Sequence, residues 1–338
     1  MKFRERYMHG EADFEEIFSL TDEWNLTEEP VPLREYLGLT AEEEDVWVTQ
    51  SDEALEELME KERNAKILFL DLDGTLLTDD KRLTPGNLDA INRALKAGHS
   101  IVINTGRPLA SAKLLAKDLS FDRPGCYLIA FNGGEIYDCG AKKSIYRKSI
   151  PLPYVRYIFD EAKKWGLHCQ TYSNTEILAE KPSPYLEQYR KQTNVDYRIV
   201  ESVTEELTIE PVKVIVIDFE NHQVLEDFRS ALDDWAAGKV DRIFTCPQYL
   251  EHIPPGVSKG NAMEILCSHL GIPMRNTIAA GDEENDISML QAAAVGAAMV
   301  NASDRVKAYG NYVTKRDNNH DGVAEIIETW MLSANTKS

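Results

Sequence analysis

The sequence lacks the features that would indicate a membrane or secreted protein. No apolar run approaches the ~20 residues that a membrane-spanning helix needs, although 43% of the 338 residues are hydrophobic. Residues 1–7 contain neither the apolar stretch nor the small-residue cleavage site of a signal peptide. We therefore expect a cytoplasmic protein that does not interact with a membrane.

Cysteine is scarce and shows no metal-binding pattern. The five cysteines form an odd number without CxxC spacing: Cys126, Cys139, Cys169, Cys246 and Cys267. This pattern favours reduced thiols packed as small apolar side chains over structural disulfides or a zinc site. Internal repeats and low-complexity tracts are also absent, which argues against a solenoid or a disordered chain.

Basic clusters are missing as well. The formal net charge is −20, and residues 1–64 alone carry 20 acidic against 6 basic side chains, a net charge of −14. A chain of this charge repels nucleic acid at long range, so we expect no nucleic-acid partner. A phosphorylated small molecule would also be repelled, unless a metal ion and local cations reverse the potential inside its site.

Residues 1–64 are predicted to form an acidic helical extension. Thr40 and Glu43 have the spacing of a capping box, and Ser51 is suited to be the N-cap of the helix that follows. Such short helices are unstable alone and have to pack on another surface. Two interpretations stay open: an arm that covers part of its own catalytic domain, and a module that binds a protein partner or self-associates.

Two acidic residues at the end of a buried strand are the central feature of the chain. The apolar run that starts at Lys66 indicates a strand, and it ends in Asp71 and Asp73. Side chains at positions i and i+2 project to the same side of the backbone, and parallel α/β sheets bind ligands beyond the carboxyl ends of their strands. Two carboxylates held there favour a divalent cation or a shared proton.

Strand and helix patterns alternate after this point. Two further predicted strands end at Thr105 and at Asn132, and another ends at Asp282, so polar residues suited to phosphate or metal follow each of them. Strands connected through helices by short loops predict an α/β fold with a Rossmann-like, doubly wound parallel sheet.

The chain between two proline-containing segments has its own helix and strand pattern. We predict that residues 151–253 form an inserted α/β cap domain, which ends at a Pro-Pro-Gly linker. The core domain would then comprise residues 65–150 and 254–338, preceded by the helical extension at 1–64.

Five motifs carry a family resemblance. In chain order they are Asp71-Leu-Asp-Gly-Thr75, Asn104-Thr-Gly-Arg107, Asn132-Gly-Gly134, Ser258-Lys-Gly260 and Gly281-Asp-Glu-Glu-Asn-Asp286. The ordered set resembles the haloacid dehalogenase superfamily, and within it the Cof-like phosphatases, which insert an α/β (C2-type) cap into the core. The resemblance covers about residues 66 to 330. It implies Mg²⁺-dependent hydrolysis of a small phosphorylated metabolite, such as a sugar phosphate, through an aspartyl-phosphate intermediate.

The resemblance also implies roles for the acidic residues. Asp71 would be the nucleophile and a metal ligand, because a carboxylate can form a phosphorylated intermediate. Asp73 would act as general acid and base and bind the metal through its backbone carbonyl. Asp282 would be the other direct ligand of Mg²⁺, which prefers oxygen ligands. Asp286 would support the water shell of the metal or orient Lys259.

The phosphate group would be bound by a second set of residues. Lys259 would supply a compact cation and Thr105 a hydroxyl at the start of a helix, and both are also candidate catalytic residues. The remaining candidate phosphate ligands are Leu72, Gly74, Gly106 and Asn285. Two further residues, Asn132 and Arg107, are supporting candidates, with a simple turn and an ion pair to a nearby acid as the respective alternatives.

The leaving group is not identified by the sequence. Tyr172 and Asn174 share one face of a predicted cap strand and are candidates for substrate contact, with core packing as the alternative for the aromatic ring. A phosphomutase or phosphotransferase of the same fold is an alternative function. A third interpretation is a regulatory, ligand-sensing protein that acts through its N-terminal module.

Overall fold

The computed structural model describes residues 1–26 and 31–333. The strands are β1 (Ile67–Leu70), β2 (Ser100–Asn104), β3 (Cys126–Ala130), β4 (Glu135–Asp138), β5 (Lys143–Arg147), β6 (His168–Tyr172), β7 (Ile177–Ala179), β8 (Tyr197–Ile199), β9 (Val214–Ile217), β10 (Asp241–Cys246), β11 (Tyr249–Ile253), β12 (Thr277–Gly281), β13 (Val295–Ala298) and β14 (Tyr312–Val313). They form two sheets, one of eight strands and one of six.

The helices lie before, between and after these strands. They are α1 (Phe3–His9), α2 (Glu16–Leu26), α3 (Leu33–Leu37), α4 (Ala41–Thr49), α5 (Asp52–Arg63), α6 (Pro85–Lys96), α7 (Leu109–Asp118), α8 (Leu152–Lys164), α9 (Pro184–Thr193), α10 (Val203–Glu206), α11 (His222–Ala231), α12 (Asp233–Ala236), α13 (Lys259–Leu270), α14 (Ile287–Ala292), α15 (Asp304–Lys307) and α16 (Gly322–Trp330). None of the helices in the described part of the chain has the length and apolar character that spanning a membrane would require.

The larger sheet confirms the predicted doubly wound architecture. Its order is β14-β13-β12-β1-β2-β3-β4-β5, in which β14 to β3 are parallel and β4 and β5 are antiparallel. Alternate residues of β1 point to opposite faces: Leu68 packs with α6, α7 and α16, whereas Phe69 packs with α13 and α14. Helices therefore cover both faces, and β1 lies in the centre of the sheet.

The smaller sheet forms the cap. Its order is β10-β11-β9-β6-β7-β8, and all of its strands lie between His168 and Ile253. One face packs against α8 and α11 through residues such as Ile158 and Phe228. Strands β7 and β8 have only three residues each, which is too short for a clear alternating pattern in the sequence. Leu232 separates helices α11 and α12.

Helices α1 to α5 form a module with its own apolar cluster. This cluster comprises Phe3, Tyr7, Met8, Ala12, Phe14, Ile17, Leu37, Leu39, Leu55 and Met59. The predicted caps are present, since Thr40 and Glu43 form a capping box and the Ser51 hydroxyl accepts a hydrogen bond from the Ala54 N–H. The module therefore has a small core of its own.

The module docks at the amino end of β12. Arg275 donates a hydrogen bond to the Met8 carbonyl at 2.7 Å, and the Asn276 amide donates to the carbonyls of Arg63 and Ala65. Because Arg275 and Asn276 precede β12, these contacts lie at the edge of the sheet opposite to its carboxyl ends. The five cysteines are free thiols, as predicted, and all but Cys246 are buried.

Candidate active site

Two neighbouring strands bring Asp71 and Asp282 together. Leu70 pairs with Ala280 in the parallel register of β1 and β12, and both strands end within one residue of this pair. The Asp71 N–H continues the ladder by donating to the Ala280 carbonyl at 3.0 Å. Residues 211 positions apart in the chain, Asp71 and Asp282, thus emerge at the same edge of the sheet.

Asp71, Asp282 and Asp286 form the acidic group of the site. Each offers a carboxylate oxygen, and these oxygens lie within 4.8 Å of one another. Burial raises the pKa of Asp71 to about 7, despite a nearby lysine, and it raises the pKa of Asp282 to about 6. Ionised carboxylates this close and this buried need a compensating cation, and an all-oxygen donor set fits Mg²⁺. The residues therefore fit the metal that the sequence predicted.

Lys259 lies between two of these carboxylates. It is the first residue of α13, where the Ser258 hydroxyl caps the helix, and its side chain is fully buried. Its Nζ donates to Asp71 Oδ1 at 2.5 Å and to Asp286 Oδ1 at 2.6 Å. Although burial opposes the charged form, the two carboxylates raise the pKa of Lys259 above its ordinary value, so it stays protonated.

Asp286 also organises the loop that carries Asp282. Its Oδ2 accepts hydrogen bonds from the backbone N–H groups of Asp282 and Glu283, each at 3.0 Å. The Thr75 hydroxyl donates to Asp282 Oδ1 at 2.7 Å and connects this loop to the loop after β1. Asp286 thus holds both Lys259 and the Asp282 backbone.

Asp73 is engaged by two cations. Arg107 contacts both carboxylate oxygens at 2.9 Å, and Lys81 donates to Oδ1 at 2.7 Å. Burial alone would raise the pKa of Asp73, but these hydrogen bonds and charges outweigh it and hold the pKa below its ordinary value. The ion pair that the sequence analysis gave as the alternative for Arg107 is therefore present, and Asp73 itself is its partner.

The loop after β1 allows little variation. Gly74 has a φ of +86°, and a Cβ built on it would lie 2.2 Å from Asp282 Oδ2. Glycine is thus required both for the left-handed backbone and for the close approach of the Asp282 carboxylate. Leu72, the other predicted residue of this loop, has a fully buried side chain, so only its backbone can face a ligand.

Thr105, Asn132 and Asn285 meet on the other side of the site. The Thr105 hydroxyl accepts a hydrogen bond from the Arg107 N–H, and the Asn132 N–H donates to the Thr105 carbonyl at 3.0 Å. Asn285 donates its amide to Asn132 Oδ1 at 3.1 Å. Asn132 has the left-handed φ of 58°, and its buried Nδ2 has no hydrogen-bond partner among the described residues.

A cavity of about 350 Å³ lies above these groups, between core and cap. The core side includes Asp71, Asp73, Thr105, Gly106 and Asn132. The cap contributes a set that sequence reasoning missed: Tyr189, Gln192, Thr193, Lys213, Thr245, Cys246, Tyr249 and Glu251. Lys213 is the one charged residue in the apolar segment 212–217, and this feature of the sequence could have indicated a functional role.

The cap residues singled out from the sequence lie beside a different cavity. Tyr172 is the last residue of β6 and Asn174 lies beyond it, so the two do not share a strand face as predicted. Both line a separate cavity of about 400 Å³. The Tyr172 hydroxyl donates to the Tyr189 hydroxyl at 2.6 Å, and Asn174 accepts from Arg147. Tyr172 thus does not line the cavity of about 350 Å³ itself, but it contacts the lining residue Tyr189.

Comparisons with known proteins agree with this geometry. The family model of haloacid dehalogenase-like hydrolases matches residues 68–327. The chain belongs to this family, in its Cof-like branch. The N-terminal helices α1 to α5 lie outside the match.

Relatives in this family carry phosphatase names. A 5-amino-6-(5-phospho-D-ribitylamino)uracil phosphatase of Bacillus subtilis (YitU) is 30% identical over 280 residues, which cover 78% of this chain and 97% of the relative. A pyridoxal phosphate phosphatase of Escherichia coli (YbhA) is 28% identical over 277 residues, which cover 79% of this chain and 99% of the relative. The crystal structure of a haloacid dehalogenase-like hydrolase from Bacteroides thetaiotaomicron superposes with a TM-score of 0.73 at 30% identity, covering 78% of this chain and 99% of that one.

Proposed function

We propose that this chain is a Mg²⁺-dependent phosphatase that hydrolyses a small phosphorylated metabolite through an aspartyl phosphate on Asp71. The observation that carries this proposal is the contact of Lys259 with Asp71 and Asp286, next to Asp282, at the carboxyl edge of the central strands. This arrangement combines a nucleophile, a fixed cation and an oxygen ligand set within one buried group.

Asp71 is the nucleophile in this mechanism. An oxygen of its carboxylate attacks the phosphorus atom, the bond to the leaving-group oxygen breaks, and the phosphoryl group is transferred to Asp71. Lys259 holds the other side of the carboxylate and neutralises charge on the transferring phosphoryl oxygens. The Thr105 hydroxyl and the side-chain amides of Asn132 and Asn285 are placed to donate hydrogen bonds to those oxygens.

The metal would be held by Asp71, Asp282 and the backbone carbonyl of Asp73. When bound, Mg²⁺ supplies positive charge that neutralises a phosphate oxygen in a chain whose net charge is −20. Asp286 has both oxygens occupied by Lys259 and by backbone N–H groups. We therefore assign Asp286 a positioning role for Lys259 and for the Asp282 loop.

Asp73 would transfer protons in both half-reactions. Its ionised state in the pair with Arg107 and Lys81 suits the second half, in which it takes a proton from the water that attacks the aspartyl phosphate. In the first half it has to donate a proton to the leaving oxygen. This requires that the Asp73 side chain separate from Arg107 and Lys81 when substrate enters.

The cap would select the leaving group. We propose a core domain of residues 65–150 and 254–338 and a cap of residues 151–253 that covers the catalytic cavity and excludes bulk water. The cavity of about 350 Å³ is at the lower end of the range of roughly 300–1,000 Å³ found for small-ligand sites, which supports a metabolite over a macromolecule. The names of the relatives describe phosphate esters of small molecules, which agrees with this substrate class.

Phosphate release tests the proposal. Purified protein should release inorganic phosphate from members of a panel of sugar and cofactor phosphates when Mg²⁺ is present, and release should stop in excess EDTA. A phosphomutase would give isomerised ester without stoichiometric phosphate. Absence of both reactions across the panel and with an aryl phosphate would contradict an enzymatic function.

A further inference from the structure

Glu251 and Lys213 form a buried ion pair in the cap wall of the catalytic cavity. Their side chains are 5% and 1% exposed, and Lys213 Nζ lies 2.7 Å from Glu251 Oε1. The Thr245 hydroxyl donates to the same oxygen at 3.2 Å. The neighbouring strands β9 and β11 supply the two charges, since Lys213 immediately precedes β9 and Glu251 lies within β11.

Within residues 1–26 and 31–333, hydrogen-bond donors contact only Oε1 of the Glu251 carboxylate. Oε2 is buried and accepts no hydrogen bond from any residue that the structure describes. A buried carboxylate oxygen without a donor is costly, and such groups in native proteins usually have a functional partner. The Lys213 ammonium donates to Oε1 and to the Gly106 carbonyl, the latter at 3.4 Å, and it makes no hydrogen bond to Oε2.

The position of the pair connects it to the reaction site. Gly106 directly follows Thr105 in a loop that lines the cavity, so the Lys213 contact joins the cap to that loop. Across the same cavity, the core residue Asn132 has a buried amide Nδ2 that no described residue contacts by a hydrogen bond. The cavity thus has an unpaired acceptor on its cap side and an unpaired donor on its core side.

We propose that Glu251 is a specificity residue whose Oε2 accepts a hydrogen bond from a hydroxyl or amino group of the leaving group. The inference rests on the proposed function, because it assumes that the phosphoryl group occupies the core side of this cavity. It narrows the substrate class to phosphate esters of polyols, sugars or amino alcohols. Lys213 is the positioning residue that holds the Glu251 carboxylate in the wall.

Binding to an inactive variant tests this without requiring turnover. In the Asp71→Asn background with Mg²⁺, calorimetry would measure the dissociation constants of ribitol 5-phosphate and phenyl phosphate, which differ in their hydrogen-bond donors. We expect the polyol ester to bind at least 10-fold more tightly. The double substitution Lys213→Met and Glu251→Leu, which removes both charges together, should abolish this preference, and Glu251→Gln should reduce it several-fold.

The matched control is Glu180→Gln in the same background. Glu180 pairs with Arg156 at 2.9 Å elsewhere in the cap and does not line the catalytic cavity, so the preference should persist. Circular dichroism selects the variants that fold, and either Glu251 variant alone suffices for the comparison. The inference would be overturned if the Asp71→Asn protein bound the two esters with equal affinity, or if its preference for the polyol ester persisted after the Glu251 substitutions.

Turnover of the unmodified protein is measured separately. If it releases no phosphate from either ester or from the wider panel while the binding preference depends on Glu251, the phosphatase proposal fails and the recognition role stands. If it hydrolyses both esters and the substitutions leave the preference unchanged, the recognition role fails and the phosphatase proposal stands.

Discussion

Replacement of Lys259 should separate the electrostatic and catalytic contributions of the site. Its Nζ contacts Asp71 and Asp286 at 2.5 and 2.6 Å, and neither Lys259 nor Asp286 has an exposed side chain. Lys259→Met keeps most of the aliphatic volume but leaves two buried carboxylates without their cation. The free energy of unfolding should fall by about 3–5 kcal/mol, the usual cost of removing one partner of a buried ion pair.

Mg²⁺ should reverse part of this loss. A cation bound by Asp71 and Asp282 returns positive charge to the same carboxylate group, so the destabilisation measured in excess Mg²⁺ should be smaller than in EDTA. Activity should not recover, because Lys259 also stabilises the transferring phosphoryl group. Loss of such a preorganised group typically lowers kcat by about 10²–10³.

Urea unfolding in EDTA and in Mg²⁺, combined with phosphate-release kinetics, measures these effects. Lys213→Met is the matched control: it breaks another buried ion pair, with Glu251, that lies outside the acidic group, so its destabilisation should not depend on Mg²⁺. A loss below about 1 kcal/mol in EDTA, the level of an exposed pair, would refute the electrostatic reasoning. If Lys259→Met loses the same free energy of unfolding in both buffers, Asp71 and Asp282 are not ligands of Mg²⁺.

Three further substitutions have defined outcomes. Asp71→Asn should abolish phosphate release while thermal unfolding stays cooperative, and retained turnover would remove Asp71 as the nucleophile. Gly74→Ala should lower both kcat and Mg²⁺ affinity, measured kinetically and by calorimetry, because the added Cβ would lie 2.2 Å from Asp282 Oδ2. Burial lowers the pKa of His252 from 6.5 to about 3. Below pH 6.5 the unfolded chain therefore binds a proton at His252 that the folded chain does not, and the free energy of unfolding should fall. At pH 5 this loss of stability is about 2 kcal/mol, and His252→Leu should remove it. If urea titrations give the variant the same pH dependence as the unmodified protein, the assignment to His252 is wrong.

Sequence reasoning found the site residues that follow predicted strand ends, and it missed contacts that depend on how loops and cap elements pack against each other. Asp71 and Asp282 directly follow β1 and β12, and their side chains meet because the carboxyl ends of neighbouring parallel strands share one edge. Asp73 lies two residues further on, and its side chain pairs with Arg107 and Lys81. The ion pair between Asp73 and Arg107 depends on how the loops after β1 and β2 lie relative to each other, and no local sequence pattern contains this information. The contact between Tyr189 and Tyr172 depends on how α9 packs on the cap sheet.

The amino-acid sequence alone determined the α/β class, the doubly wound core, the acidic helical extension and the residues at the strand ends. Strand and helix periodicity, capping residues and motif order are local properties, so they can be read without coordinates. Only the tertiary structure decided which cap side chains line the catalytic cavity and which charges are compensated there. Lys213 and Glu251 are 38 residues apart in the chain, and the antiparallel pairing of β9 with β11 brings them into contact. Lys259 likewise contacts Asp71 only in the folded chain, because the two residues are 188 positions apart in sequence.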